Sequence, residues 1–280
     1  MAKNWTVPGA VAVLLATAAF LGMGPGLGSH SGNALVAVPV PSTAVAAQTT
    51  AGSTAAATGF PTAGSLVTDP GSGRSEVVVP AIERTAVLIG DSQASGARGV
   101  KGSDTWVQSG LAARGYTVVF LGAGGTGYVA RTARAENYPD GVESGHVVLP
   151  YGNPALVVVQ GGGNDASRGI PDDQILANAG RLLHDLKASY PESKFLFIGT
   201  LARGGEAGGR RTQVDSLLAG FAKAHEIPFV SAGDWLSKYG AVHEMADGVH
   251  LTAAGHKNLA NVLAGKLADL GLEAPAIRAG

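Results

Sequence analysis

Cysteine is absent from this 280-residue chain, which excludes a disulfide framework, a thiolate metal site and a lipid-modified N-terminal cysteine. A basic excess is absent too, because 20 Lys and Arg residues stand against 21 Asp and Glu residues, for a formal net charge of -1. This balance argues against a nucleic-acid-binding protein. Hydrophobic residues make up 45% of the chain, which is enough for one sizeable core, so stability must come from packing.

Charged residues are missing from the N-terminal quarter, where no Asp, Glu, Lys or Arg occurs from Asn4 to Thr68. The apolar run at residues 7–23 follows Lys3, as the h-region of an export signal follows its basic n-region. A helix of this length would span about 26 Å, slightly short of a ~30 Å hydrocarbon core, so a retained membrane anchor is the alternative. Residues 1–29 are therefore predicted to be an export signal or N-terminal membrane anchor, and the protein to be secreted or extracytoplasmic.

Residues 30–80 are rich in Thr, Ser, Ala, Gly and Pro and show neither helical nor strand periodicity. This composition predicts a disordered linker, with a long propeptide as the alternative. A flexible coil of this length has an end-to-end distance of roughly 40 Å, enough to hold a domain away from a membrane. The globular domain is predicted to occupy residues 81–280.

From Arg84 onward, short apolar runs alternate with segments of helical period, which predicts an α/β domain with a parallel sheet. Apolar and polar residues do not alternate within these runs, which is typical of strands that are buried on both faces of a sheet. They lie at residues 86–89, 117–121, 155–159, 195–198 and 227–230. Helices are predicted around residues 175–186 behind a cap at Asp172, around 214–221, and around 259–267 after Thr252.

Polar or glycine-rich residues follow three of these runs, where parallel sheets bind their ligands. Ser92 comes after the first run, the glycine-rich segment 122–127 after the second, and Asn164 after the third. Asp247 and His250 precede the last helix.

A serine hydroxyl becomes an effective nucleophile when a histidine removes its proton and a carboxylate orients that histidine. Ser92, His250 and Asp247 supply these three groups, and the three-residue spacing lets the carboxylate reach Nδ1 while Nε2 faces the serine. Acyl transfer also needs donors for the developing oxyanion. The candidates are the N–H of Ser92, a glycine N–H of segment 122–127 and the side-chain amide of Asn164.

These blocks, in this order, resemble the SGNH hydrolase superfamily, the GDSL-type esterases and lipases, over residues 84 to about 270. Its Gly-Asp-Ser block matches residues 90–92, with Gln93 in place of the usual leucine, and its Gly-x-Asn-Asp block matches residues 162–165. The second block is the weakest match, since segment 122–127 has no Asn or Asp. Register with the preceding strand puts its oxyanion glycine at Gly125, with Gly124 as the alternative.

The resemblance implies a flavodoxin-like three-layer α/β sandwich around a central, mostly parallel five-stranded sheet, the SGNH hydrolase fold. It implies a serine esterase that hydrolyses a carboxylic ester through an acyl-enzyme, with no metal and no organic cofactor. An acetyl or other short acyl group on a carbohydrate or small molecule is the expected substrate. Nucleic acid is not an expected partner, and membrane contact is expected only through the N-terminal segment. The alternatives are an acyltransferase of the same fold and a non-catalytic carbohydrate-binding module.

A dinucleotide-binding module is a further alternative, because Gly122, Gly124 and Gly127 satisfy the Rossmann glycine spacing. That interpretation requires a helix that opens at Gly127, whereas the following residues are polar and contain turn chemistry around Pro139.

His243 and Glu244 match the first two residues of the His-Glu-x-x-His zinc-protease motif, which suggests a metal site. Asp247, however, stands where that motif requires its second histidine. Arginines in the loop after the fourth run could contact an anionic substrate, although solvated loop charges are commoner. They are Arg203, Arg210 and Arg211.

Overall fold

The computed structural model describes residues 61–202 and 208–276. The predicted export signal or anchor at 1–29 and the linker up to residue 60 lie outside these described residues, as does Arg203. Among the helices of the described residues, none is long and apolar enough to cross a bilayer.

A short antiparallel hairpin precedes the main sheet and consists of β1 (Leu66–Thr68) and β2 (Ser75–Val77). The prediction of a disordered linker is therefore wrong for this part of residues 30–80. Glu76 is fully buried, and Arg74 Nη2 lies 2.6 Å from Asp185 Oδ1 on a later helix. These contacts are distant in sequence, so local composition did not reveal them.

All five predicted strands are present and form one parallel sheet. They are β3 (Thr85–Gly90), β4 (Thr117–Gly122), β5 (Leu156–Gln160), β6 (Lys194–Ile198) and β7 (Phe229–Val230). The spatial order is β4-β3-β5-β6-β7, which is the flavodoxin-like order. The predicted fold class is confirmed, and every pairing in the sheet is parallel.

The helices described are α1 (Ser92–Ser95), α2 (Trp106–Ala112), α3 (Tyr138–Glu143), α4 (Gly163–Ser167), α5 (Asp172–Ser189), α6 (Arg210–Ala224), α7 (Trp235–Lys238) and α8 (Ala253–Asp269). The three helices predicted from periodicity are α5, α6 and α8. Thr252 caps α8, since its hydroxyl accepts from the N–H of Gly255 at 3.3 Å. The predicted cap at Asp172 is wrong because Pro171 holds that position. Asp172 instead lies in the first turn, where the helix dipole favours a carboxylate.

Successive strand residues point to opposite faces of the sheet, which produces two cores and three layers. On β3, Leu88 faces a layer containing Trp106 of α2, while Val87 faces a layer containing Leu182 of α5; all are fully buried. The strand order reverses between β3 and β5, so the carboxyl ends of these neighbours form the crevice that binds ligands in such sheets.

Candidate active site

The crevice brings together the three residues predicted to act on an ester. Ser92 begins α1 directly after β3, and its Oγ lies 3.0 Å from His250 Nε2, although the two residues are 158 positions apart. His250 Nδ1 lies 3.0 Å from Asp247 Oδ2. The three side chains thus form a continuous hydrogen-bonded chain, and their catalytic roles remain a prediction.

The loop that carries Asp247 and His250 is held by the Asp247 carboxylate. Asp247 Oδ1 accepts from the backbone N–H groups of Val249 at 2.8 Å and of His250 at 2.7 Å. The hydrogen bond from the His250 side chain, these backbone bonds and Arg98 hold the pKa of Asp247 well below its usual range. The ionised carboxylate favours a proton on Nδ1, which leaves Nε2 free to accept from Ser92.

Arg98 was not recognised from the sequence. Its Nε lies 2.6 Å from Asp247 Oδ2, although 149 positions separate them. A single exposed arginine in a loop carries no local signal of such a contact.

Gln93 joins α1, which carries Ser92, to the loop that carries Asp247 and His250. Its side chain is buried, Nε2 donates to the carbonyl of Val249 at 2.8 Å, and Oε1 accepts from Trp106 Nε1 at 3.3 Å. From the sequence, Gln93 was noted only because it replaces the leucine that usually follows the Gly-Asp-Ser block. In the structure, this amide fixes the loop that positions His250.

Replacing Gln93 with leucine is expected to lower kcat for a p-nitrophenyl ester about tenfold or more. The substitution leaves the Val249 carbonyl without its donor, and a base displaced by about 1 Å can lose roughly 100-fold in rate. Gln108→Leu is the matched control, because Gln108 Nε2 donates at 2.8 Å to the carbonyl of Ala94 in α1, and the side chain forms no hydrogen bond to residues 247–250 of the described chain. Equal kcat values for the two variants would contradict the role of Gln93.

The oxyanion side of the crevice is a tight turn at residues 123–126. The N–H of Thr126 donates to the carbonyl of Ala123 at 3.4 Å, and Gly125 has a φ of 83°, as the third residue of a type II turn requires. Asn164 Nδ2 donates at 2.8 Å to the carbonyl of Thr126, and its 3.4 Å contact with Asp91 Oδ2 is weak enough to leave one N–H for a substrate.

The turn offers two glycine N–H groups, and neither has an acceptor within the described part of the chain. A Cβ built on Gly124 would lie 3.5 Å from Ser92 Cβ, whereas one built on Gly125 would lie 3.0 Å from Thr132 Cγ2. Gly124 therefore faces Ser92. The assignment of the oxyanion donor to Gly125 stays a prediction, with Gly124 as its alternative.

Asp165 holds the loop that follows this turn. It is fully buried and accepts from three backbone N–H groups, those of Tyr128 at 3.0 Å and of Val129 and Ala130 at 2.8 Å. A Cβ on Gly127 would lie 2.2 Å from Asp165 Oδ2, so this position requires glycine. No helix opens there, since α3 begins at residue 138, and the Rossmann interpretation of the glycine spacing is wrong.

Gly127→Ala is expected to lower the free energy of unfolding by about 1–3 kcal/mol, because the new methyl group overlaps a carboxylate that already binds three N–H groups. Gly180→Ala in α5 is the control, since its Cβ would meet nothing within 4 Å. That substitution should be neutral or stabilising, by up to about 1 kcal/mol. Urea unfolding measures both, and two equally stable variants would refute the clash.

Two buried groups near the triad have shifted pKa values. Burial raises the pKa of Asp91 to about 6, although the hydrogen bond from the N–H of Gln93 acts in the opposite direction and lowers this pKa. Burial and the neighbouring His250 lower the pKa of His256 to about 4. His256 is thus neutral at pH 7, and its Nδ1 accepts from the N–H of Trp106 at 3.0 Å.

The other side chains considered for binding have structural contacts. His243 and Glu244 lie in a 3-10 turn, and no group of three His, Asp or Glu residues in the described segments is arranged to hold a metal. Arg210 Nη2 lies 2.6 Å from Asp172 Oδ1, and Arg211 is buried and donates to Ser167 Oγ at 3.1 Å.

Among solved structures, the chain is similar to a family two carbohydrate esterase from Clostridium thermocellum in complex with cellohexaose, at 16% identity and a TM-score of 0.55 over 73% of this chain and 70% of that one. It is similar to the crystal structure of TesA, at 25% identity and a TM-score of 0.50, over 66% of this chain and 99% of that one. A family two carbohydrate esterase from Cellvibrio japonicus matches at 18% identity and a TM-score of 0.53, over 71% of this chain and 64% of that one.

No curated protein sequence matches the chain. The sequence model of the GDSL-like Lipase/Acylhydrolase family, however, matches residues 88–257, a range that contains Ser92, Asn164, Asp247 and His250. This match covers more than half of the chain, and the solved structures share its fold. The chain therefore belongs to the GDSL-like lipase/acylhydrolase family.

Proposed function

We propose that the protein hydrolyses a carboxylic ester through an acyl-enzyme formed on Ser92. One observation carries the proposal, namely the unbroken chain of hydrogen bonds from Asp247 through His250 to Ser92 Oγ, with both links at 3.0 Å. Such a chain allows the imidazole to accept the hydroxyl proton while the carboxylate stabilises the imidazolium that forms.

In the first half of the reaction, Ser92 Oγ attacks the ester carbonyl and His250 Nε2 takes the serine proton. Negative charge develops on the carbonyl oxygen, and donors fixed in advance stabilise it. The proposed donors are the N–H of Ser92, a glycine N–H of the turn at 123–126 and Asn164 Nδ2. Collapse of the intermediate breaks the bond to the alcohol oxygen, which leaves with the proton from His250.

In the second half, water attacks the acyl group on Ser92 and His250 removes a proton from that water. The carbonyl carbon again becomes tetrahedral, and the same donors hold its oxygen. Collapse releases the carboxylic acid and returns the proton to Ser92 Oγ. Asp247 stays ionised throughout and keeps His250 in one tautomer.

We propose a short acyl group, such as acetyl, on a carbohydrate or small alcohol as the substrate. Two of the similar solved structures are carbohydrate esterases by name, which supports this class. The His250 and Asp247 side chains are 23% and 26% exposed, so a large alcohol portion can project into solvent while its ester reaches Ser92.

We also propose an extracytoplasmic location, which rests on the apolar run at residues 7–23 behind Lys3. Fractionation of cells that express the full chain, followed by N-terminal sequencing, tests it. A protein recovered only from the cytoplasm would contradict it.

The direct test of the function mixes the full chain rapidly with p-nitrophenyl acetate, butyrate and octanoate. We expect a burst of p-nitrophenol and one acyl group on the peptide that contains Ser92, detected by mass spectrometry. Acetylated xylo-oligosaccharides should then release acetate. Absence of turnover on every ester would refute the proposal, and an acyl-enzyme that discharges to an added alcohol but not to water would favour the acyltransferase alternative.

A further inference from the structure

A basic concavity of about 940 Å³ adjoins the turn at residues 123–126, where Arg168 of its lining donates to the carbonyl of Gly125. We call it the arginine basin, and its lining includes three arginines together with Glu136 and His146; the arginines are Arg131, Arg134 and Arg168. None of these residues was singled out in the sequence, because they are scattered over 38 positions and belong to no motif.

The charge of the basin is unbalanced. Arg131 and Arg134 are exposed, and neither lies within 4.0 Å of a described carboxylate. The pKa of nearby Glu136 is nevertheless lowered by the hydrogen bond from Ser144 and, more weakly, by the charge of Arg131. Arg168 donates to two backbone carbonyls, those of Arg131 and Gly125. The carboxylate in the lining, that of Glu136, accepts from Ser144 Oγ at 2.7 Å and lies 3.0 Å from His146 Nδ1. Three guanidinium groups thus share one concavity with a single carboxylate that already has partners.

The basin and Ser92 both adjoin the turn at residues 123–126. Gly124 faces Ser92, and the next residue, Gly125, faces Thr132, which lines the basin. From the contact distances of the two glycines and the ~3.8 Å between their Cα atoms, Ser92 Cβ and Thr132 lie at most about 13 Å apart. A sugar or other large alcohol portion of an ester held at Ser92 is long enough to span that distance.

We propose that the arginine basin binds a carboxylate on the alcohol portion of the substrate, so that the preferred substrates are esters of acidic sugars or of similar carboxylate-bearing alcohols. This inference rests on the proposed ester hydrolysis at Ser92. Guanidinium groups suit the role because their planar fork pairs with both oxygens of a carboxylate. A bound carboxylate would also relieve the repulsion among the three arginines.

The experiment compares two fluorogenic esters of nearly the same shape, 7-acetoxycoumarin-3-carboxylate and 7-acetoxycoumarin-3-carboxamide. The measured quantity is the ratio of kcat/KM for the anionic ester to kcat/KM for the neutral one. Intrinsic reactivity differs between the probes but cancels when this ratio is compared between proteins. The test variant is Arg131→Gln with Arg134→Gln, and Arg168 is left in place because it supports the Gly125 carbonyl.

The control variant is Lys187→Gln with Lys194→Gln. It removes the same charge from two exposed positions near the amino end of β6, at the edge of the sheet opposite Ser92. The inference predicts that the ratio falls about fivefold or more in the arginine variant, stays within about twofold of wild type in the lysine variant, and falls in wild type as salt is added.

An arginine variant with the wild-type ratio would overturn the arginine basin as a carboxylate site and leave the proposed hydrolysis intact. Turnover of p-nitrophenyl acetate but of neither coumarin ester would also overturn this inference alone. Absence of turnover on all of these esters would instead refute the proposed function, and this inference with it. The two failures are therefore distinguishable.

Discussion

Replacing Ser92 with alanine is expected to lower kcat on p-nitrophenyl acetate by about 10⁴-fold or more. The side chain proposed to attack the carbonyl is removed, while His250, Asp247 and the proposed oxyanion donors stay in place. Any residual rate should show no burst and no acylated peptide. Initial-rate measurements against the uncatalysed background check this result.

Ser95→Ala is the matched control for that experiment. Ser95 lies on the same helix α1, three residues after the nucleophile, and its Oγ makes a 3.4 Å contact with the carbonyl of Gly96. We expect it to keep kcat within about threefold of wild type, since that contact is at the limit of a hydrogen bond. Full activity in Ser92→Ala, with an unfolding transition like that of wild type, would exclude Ser92 as the nucleophile.

Replacing Asn164 with alanine is expected to lower kcat by about 10²- to 10³-fold, with a much smaller change in KM. The side-chain amide would donate to the oxyanion more strongly than to the ground-state carbonyl, so its loss acts mainly on the transition state. Its 2.8 Å bond to the carbonyl of Thr126 is lost as well, which loosens the turn that carries the glycine donor. Steady-state kinetics on p-nitrophenyl acetate measure both constants.

Asn178→Ala separates these two effects. Asn178 Nδ2 donates at 2.8 Å to the carbonyl of Tyr128, so from α5 it anchors the loop that directly follows the turn. We expect this variant to lose stability but to retain most of its kcat. Equal losses of kcat in the two variants would show that Asn164 acts through the loop and not as an oxyanion donor.

The sheet was predictable because its strands are buried on both faces. Apolar runs such as residues 86–89 are local signals, and they marked all five strands to within about two residues. The hairpin β1–β2 was missed for the opposite reason, since its strands have three residues each and lie in a segment of linker-like composition. The hairpin is held by tertiary contacts, namely the burial of Glu76 and the ion pair between Arg74 and Asp185 of α5.

The site was predictable where its residues follow a strand or share one turn of chain. Ser92 and Asn164 follow β3 and β5, and Asp247 is near enough to His250 in sequence for their contact to be anticipated. The amide of Gln93 and the guanidinium of Arg98 left no such signal, because their partners lie 156 and 149 positions away.

The sequence by itself determined the layered α/β architecture and the identity of the candidate nucleophile, base and acid. Both follow from local physics, namely the periodicity of buried strands and helices and the chemistry of a few polar groups at strand ends. The tertiary structure alone decided that Ser92 contacts His250 at the carboxyl ends of the strands and that Gly127 leaves room for the Asp165 carboxylate. It also decided that three arginines line one basin beside the turn. Those contacts depend on strand order and on loops that fold back over the sheet, which no local stretch of residues specifies.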